Sequence, residues 1–216
     1  MAVTGLIMIA FLLFHMYGNL KMFVGFEAFD HYAHWLKGAT EDGGMLYPII
    51  MQGQFIWIFR FVMVLAVLLH IWSAYTLSRQ SIAVRGPKYV NDKRQAQTYS
   101  ARTMRWGGVI LLVGLIFHLL QFTTQTVQTG FTAGAEPYEM TVGAFGNWWL
   151  VLLYALWVGI VCSHVRHGVW SALTTLGANT SPAARSFLNG LAWVIAVVLF
   201  VGFMIMPLAV LFGWVN

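Results

Sequence analysis

The stretch FIWIFRFVMVLAVLLHIWSAYTL, Phe55 to Leu77, decides the fold class. Arg60 is its one charged residue and His70 its one imidazole. Wound as an α-helix it is about 34 Å long, enough to cross a hydrocarbon core about 30 Å thick. Four more apolar stretches lie along the chain, from about Ala2 to Val24, Trp106 to Val127, Phe145 to Cys162 and Phe187 to Val215. Lipid offers backbone groups no hydrogen-bond partner, so each stretch has to be helical. Of the 216 residues 59% are hydrophobic and 9% charged, against about 25% charged in a soluble domain. The expected architecture is all-α: one membrane domain, residues 1–216, of five transmembrane helices embedded in lipid.

The connections differ in charge, and the difference sets the expected orientation. Arg79, Arg85, Lys88, Lys93, Arg94, Arg102 and Arg105 lie between the second and third spans, and Arg166 and Arg185 between the fourth and fifth. The other two connections carry Glu27, Asp30, Glu41 and Asp42, and Glu136 and Glu139. The Lys/Arg bias predicts a cytoplasmic N-terminus and an outer C-terminus. The net charge of +5 is then a topology signal; a basic patch for nucleic acid is not expected. The chain opens into apolar sequence without a basic lead, where an anchor is usual ahead of a first span, so residues before Met1 are expected.

Seven histidines are present. His15, His70, His118 and His164 belong one each to the first four spans. An ionisable side chain at membrane depth is costly and points to function, and neutral imidazole is a good axial ligand for haem iron. Helical rise orders the four by depth. His118 follows Arg105 by 13 residues and His15 follows Met1 by 14, which sets both roughly 20 Å from the inner side. His70 follows Gln52 by 18 residues and His164 follows Asn147 by 17, roughly 26 Å from the outer side. The depths match in pairs, although two of these helices run outward and two inward. His15 with His118 nearer the outer face, and His70 with His164 nearer the inner face, predict two bis-histidine b haems. A single buried histidine is more often a packed core residue; four of them, one per span and matched in depth, are harder to explain that way. A tetrahedral zinc site would need its ligands in one plane. Cys162, the one cysteine, excludes a Cys-ligated iron–sulfur cluster built from this chain alone.

Other polar residues fill in the picture. Arg60 lies about 12 Å inward of Gln52, near the outer pair, and its fork suits a haem propionate; snorkelling is the plainer alternative. Asn19, Lys21, Gln52 and Gln54 at the outer ends, and Ser78, Arg79, Arg105 and His167 at the inner ends, are candidates for a quinone or propionates, each against a simple interfacial role. His167 also rivals His164 as the ligand. Gln121 and Gln125 are candidate hydrogen-bonding groups outward of His118. Gly18, Gly114 and Gly168 lie near the histidines, where small residues let a helix or a flat macrocycle approach. His31 and His34 fall in the first acidic connection, read as a solvated loop.

His15 followed by Gly18-Asn19, His70 deep in its span, and the run HVRHGVW, His164 to Trp170, before Leu176-Gly177 form a pattern over nearly the whole chain. With it the chain resembles the cytochrome b membrane-anchor subunit of succinate dehydrogenase and fumarate reductase, in the single-anchor, five-helix, two-haem class. The resemblance implies a prokaryotic plasma-membrane subunit of respiratory complex II. Its partners would be a flavoprotein subunit, carrying FAD and the succinate chemistry of the tricarboxylic acid cycle, and an iron–sulfur subunit; the complex can form a higher oligomer. Electrons would pass from the iron–sulfur partner through the haem on His70 and His164 to the one on His15 and His118, and on to menaquinone or another quinone. The resemblance implies no catalytic residue on this chain.

Two other readings differ in what they require. The cytochrome anchor of a nitrate reductase or hydrogenase tends to put two histidines on one helix. A transporter using buried histidines needs no haem and predicts no Soret absorption.

Overall fold

The computed structural model describes residues 1–83 and 99–215, and every regular element in them is helical. Side chains are described outside 81–103 and Arg105. The basic residues Arg85, Lys88, Lys93 and Arg94 therefore lie outside the described residues.

Among the described residues seven α-helices follow one another: α1 (Ala2–Leu20), α2 (Phe26–Lys37), α3 (Gln54–Ala83), α4 (Tyr99–Phe122), α5 (Pro137–Phe145), α6 (Trp148–Thr175) and α7 (Pro182–Leu211). A 3-10 turn, Lys21–Val24, extends α1. Among the described residues four segments are long and apolar enough to cross a membrane: Ala2–Val24, Gln54–Gln80, Trp148–Thr175 and Pro182–Leu211. The apolar part of α4, Trp106–Phe122, is shorter. Large apolar side chains such as Phe61, Trp72, Trp106, Leu156 and Val201 face outward. An outer surface of this kind suits lipid rather than water.

The bundle is built on α6 and α7, which pack more extensively on each other than any other pair does. Small residues allow this: Ala192 and Ala196 on α7 are buried, beside Leu199 and, on α6, Leu150, Val158 and Val165. Such residues let helix backbones approach closely in the membrane. Helix α1 packs on α3, α6 and α7, and α4 packs on α6. Ser181 starts α7, its hydroxyl accepting from the Ala184 N–H at 3.1 Å, with Pro182 in the first turn. Helix α6 ends in a Schellman turn: Ala178 N–H donates to Leu173 C=O at 3.0 Å and Gly177 N–H to Thr174 C=O at 3.1 Å. Gly177 takes φ +87°, a left-handed conformation that suits glycine.

The structure corrects the sequence reading in four places. The third apolar stretch does not stay helical to Val127; α4 ends at Phe122, and Gln125, at φ +54°, lies in the connection that follows. The fourth apolar stretch does not stop near Cys162; its helix runs on to Thr175 through His164, Arg166 and His167. Hydropathy falls there because three polar side chains follow one another, yet His164, Arg166 and His167 meet His70, Asn189 and Trp170, and the backbone stays helical. Phe145, placed at the start of that stretch, instead ends α5. The two acidic connections are not plain loops. They hold the amphipathic α2 and the short α5, and these meet at one end of the bundle. There Asp30 Oδ1 accepts from the Tyr138 N–H at 2.8 Å, and His34 Nε2 lies 2.8 Å from Glu136 Oε2. His31 and His34 are thus helical residues.

Candidate functional site

The four span histidines come together in twos. The rings of His15 on α1 and His118 on α4 have centroids 5.9 Å apart. Those of His70 on α3 and His164 on α6 are 6.3 Å apart. Each pair reaches between helices whose backbones do not pack closely: α1 with α4, and α3 with α6, are not among the closely packed pairs in the described residues. The imidazoles are thus the side chains that meet across each of these helix pairs. Among the described residues no three or more His, Cys, Asp or Glu side chains gather as a metal cluster.

The pairs sit at two levels of one bundle, and two helices measure the step between them independently. On α1, Thr4 touches His70 and His15 faces His118; the eleven residues from Thr4 to His15 rise about 16 Å. On α6, Tyr154 touches His118 and His164 faces His70; the ten residues from Tyr154 to His164 rise about 15 Å.

In the first pair His15 is held by ring contacts, stacked on Phe11 at 5.2 Å and tilted against Phe203 at 5.8 Å. His118 lies among Phe122, Tyr154 and Trp157, at 5.3, 6.0 and 5.8 Å. Its Nδ1 lies 3.1 Å from the Tyr154 hydroxyl, which donates to Gln121 Oε1 at 2.7 Å. Gly114 makes this packing possible, since a Cβ there would collide with the Trp157 indole nitrogen.

In the second pair His70 Nδ1 lies 3.1 Å from the Thr4 hydroxyl. That hydroxyl donates to Met1 C=O at 3.0 Å, so it accepts from His70, and Nδ1 carries the imidazole proton. His70 Nε2 is then an acceptor, and it is buried without a partner; so is His164 Nδ1. A buried polar atom left unpaired costs about 1–3 kcal/mol, so such an atom calls for a partner.

The other candidate residues are distributed as follows. Arg60 is exposed, its guanidinium 4.9 Å from the Trp57 ring centroid. It lines a polar cavity of about 390 Å³ with His34, Lys37, Phe122, Gln125 and Glu136. Phe122 is the wall between this cavity and His118. Lys21 lies over the Tyr17 and Tyr32 rings at 5.4 and 5.1 Å, and burial together with the Tyr17 phenol raises the Tyr32 pKa. Gln52 Nε2 donates to Gly38 C=O at 2.8 Å, a structural bond between α2 and the start of α3. Gln54 opens α3, and Asn19 lies half-buried near the end of α1. At the other end Arg79 leans on Tyr75, 5.9 Å from its ring, and Ser78 is half-buried. His167 packs on Trp170 at 6.5 Å, and it is His164 that faces His70. The Arg105 side chain lies outside the described residues. Arg166 turns to α7, donating to Asn189 Oδ1 at 2.9 Å and lying 4.7 Å from the Trp193 ring.

Two contacts to the pairs were not anticipated, Thr4 and Tyr154. Each is a polar residue within an apolar helix that needs a partner there, and that was the available signal. Comparison of the chain with family models, with characterised proteins and with solved structures finds no match to any of them.

Proposed function

We propose that this chain is a five-span, two-haem cytochrome b: the membrane-anchor and electron-transfer subunit of a succinate:quinone oxidoreductase. The observation that carries the haem part is the pair of facing imidazole couples about 15 Å apart in depth. If an imidazole nitrogen binds iron at about 2.0–2.1 Å, as it binds zinc, and the ring centroid lies about 1.1 Å behind it, two rings facing one metal have centroids about 6.3 Å apart. The measured 5.9 and 6.3 Å agree. The unpaired Nε2 of His70 supports the same reading, as does the lack of close α1–α4 and α3–α6 backbone packing among the described residues. His15 and His118 would hold one haem and His70 and His164 the other.

Haem supplies reversible one-electron chemistry, its potential set by ligands, hydrogen bonds and burial. The chain's own residues do the rest. Thr4 and Tyr154 fix ring orientation; Phe11, Phe122, Trp157 and Phe203 keep water away; Arg60, in the cavity behind Phe122, would balance propionate charge. In this reading α4 is the fifth span, the Lys/Arg-rich connections are cytoplasmic in a prokaryotic plasma membrane, and the inner couple receives electrons from an iron–sulfur partner. Quinone reduction then belongs at the outer couple, with Asn19, Lys21, Gln52 and Gln54 nearby, or at the inner one near Ser78, Arg79, Arg105 and His167.

The succinate assignment rests on the resemblance of the histidine pattern alone. Its test is to express the chain in membranes with its flavoprotein and iron–sulfur partners and to add succinate anaerobically. Haem reduction that malonate blocks supports it. Haem that dithionite reduces and succinate does not would transfer the chain to another quinone-linked oxidoreductase.

A further inference from the structure

The outer couple has a support that its ligand role does not require. Tyr154 on α6 reaches His118 on α4, and Gln121 lies one helical turn beyond His118. Gln121 is fully buried. Its Nε2 donates to Thr129 Oγ1, in the connection after α4, and its Oε1 accepts from the Tyr154 hydroxyl at 2.7 Å. A phenol has one proton to give. With that proton on Gln121, the Tyr154 oxygen offers only lone pairs to His118 Nδ1, 3.1 Å away.

We propose that Thr129, Gln121 and Tyr154 form a relay that keeps the proton on His118 Nδ1 and so commits Nε2 as the coordinating atom, with Tyr154 the positioning residue. A ring free to turn or to change tautomer would present either nitrogen. An acceptor on Nδ1–H also makes the imidazole more basic, which favours ferric over ferrous iron and holds the outer potential down. Thr4 does the same for His70 with one side chain. The outer couple uses three, and one of them belongs to a connection outside the span. The relay thus ties the outer ligand to the loop between α4 and α5, where Gln125 Oε1 also accepts from Gly134 N–H at 2.5 Å.

Two measurements test it, and only the second rests on the haem reading. In histidine-labelled, dithionite-reduced protein in nanodiscs, the ¹⁵N–¹H resonance of His118, assigned by its loss in His118→Gln, should be an Nδ1–H, downfield and slow to exchange. In Tyr154→Phe it should move upfield and exchange quickly. A wild-type His118 without an Nδ1–H, or one unmoved by Tyr154→Phe, overturns the relay whether or not haem is bound. In redox titrations Tyr154→Phe should raise the midpoint of one haem and leave the other in place; a tenfold change in the equilibrium corresponds to 59 mV. Gln121→Leu should raise the same midpoint less, and the double variant should match Tyr154→Phe alone. Unmoved midpoints, or both moving together, overturn the relay. Protein without haem would overturn the two-haem reading and leave the resonance to decide the relay.

Discussion

Thr4 Oγ1 lies 3.1 Å from His70 Nδ1, and this contact marks the level at which α3 stands against α1. It sets His70 level with the start of α1, whereas His15, on the same helix, faces His118 eleven residues further on. One helix therefore serves both histidine couples, with its N-terminal turn at one level and its C-terminal half at the other.

Removing a ligand should separate the couples. His70→Ala is expected to lower the haem content from two to one per chain and to leave the spectrum and potential of the other haem in place. His118→Ala should do the complementary thing. Pyridine haemochrome assay with redox titration checks both. Equal loss of both haems from either variant would mean that the couples are not independent sites.

Thr4→Val keeps the shape and removes the acceptor of the His70 Nδ1 proton. Losses of about 10–100-fold in metal affinity are typical when such an outer contact is removed. The inner haem should leave more readily, measured by its rate of transfer to apomyoglobin, with the outer haem unaffected.

Arg60→Gln removes a positive charge from the cavity whose Phe122 wall packs on His118, beside what the proposed function takes as the outer haem. Ferrous haem is the more negative form, so the outer midpoint should fall and the inner one hold. The shift should be larger at low ionic strength, because Arg60 is exposed and salt screens it. A redox titration at two salt concentrations reads both effects.

Gly114→Val introduces a side chain against the Trp157 indole. Overpacking of this kind costs about 1–3 kcal/mol, so the melting temperature in detergent should drop. Because Trp157 flanks His118, the outer haem spectrum should broaden with it. Gly168→Ala, where a Cβ meets no other side chain or distant backbone, should be close to neutral in the same assay.

The histidine pairing was legible in the sequence because helical rise is constant: thirteen residues from Arg105 and fourteen from Met1 define one depth without any knowledge of packing. The choice between His164 and His167 was less so. Three residues apart on one helix, they differ in direction by about 60°, and only the rotation of α6 against α3 turns His164 toward His70. The helices α2 and α5 were hidden for another reason. Their acids and histidines read as solvent-facing loop, yet Asp30 and His34 bind residues more than 100 positions away, Tyr138 and Glu136. Thr4 and Tyr154 were likewise invisible as partners, since each contact runs between helices distant in sequence. Length and hydropathy located the apolar helices, and missed that α6 continues past Cys162, that α4 stops short of Val127 and that Phe145 belongs to α5.

The most direct measurement is the haem content and spectrum of the purified chain. The account predicts two b haems per polypeptide, both low-spin as two imidazoles require, with separate midpoints in a redox titration. A purified, folded chain without Soret absorption, or with a single haem whose content survives both His70→Ala and His118→Ala, would contradict it.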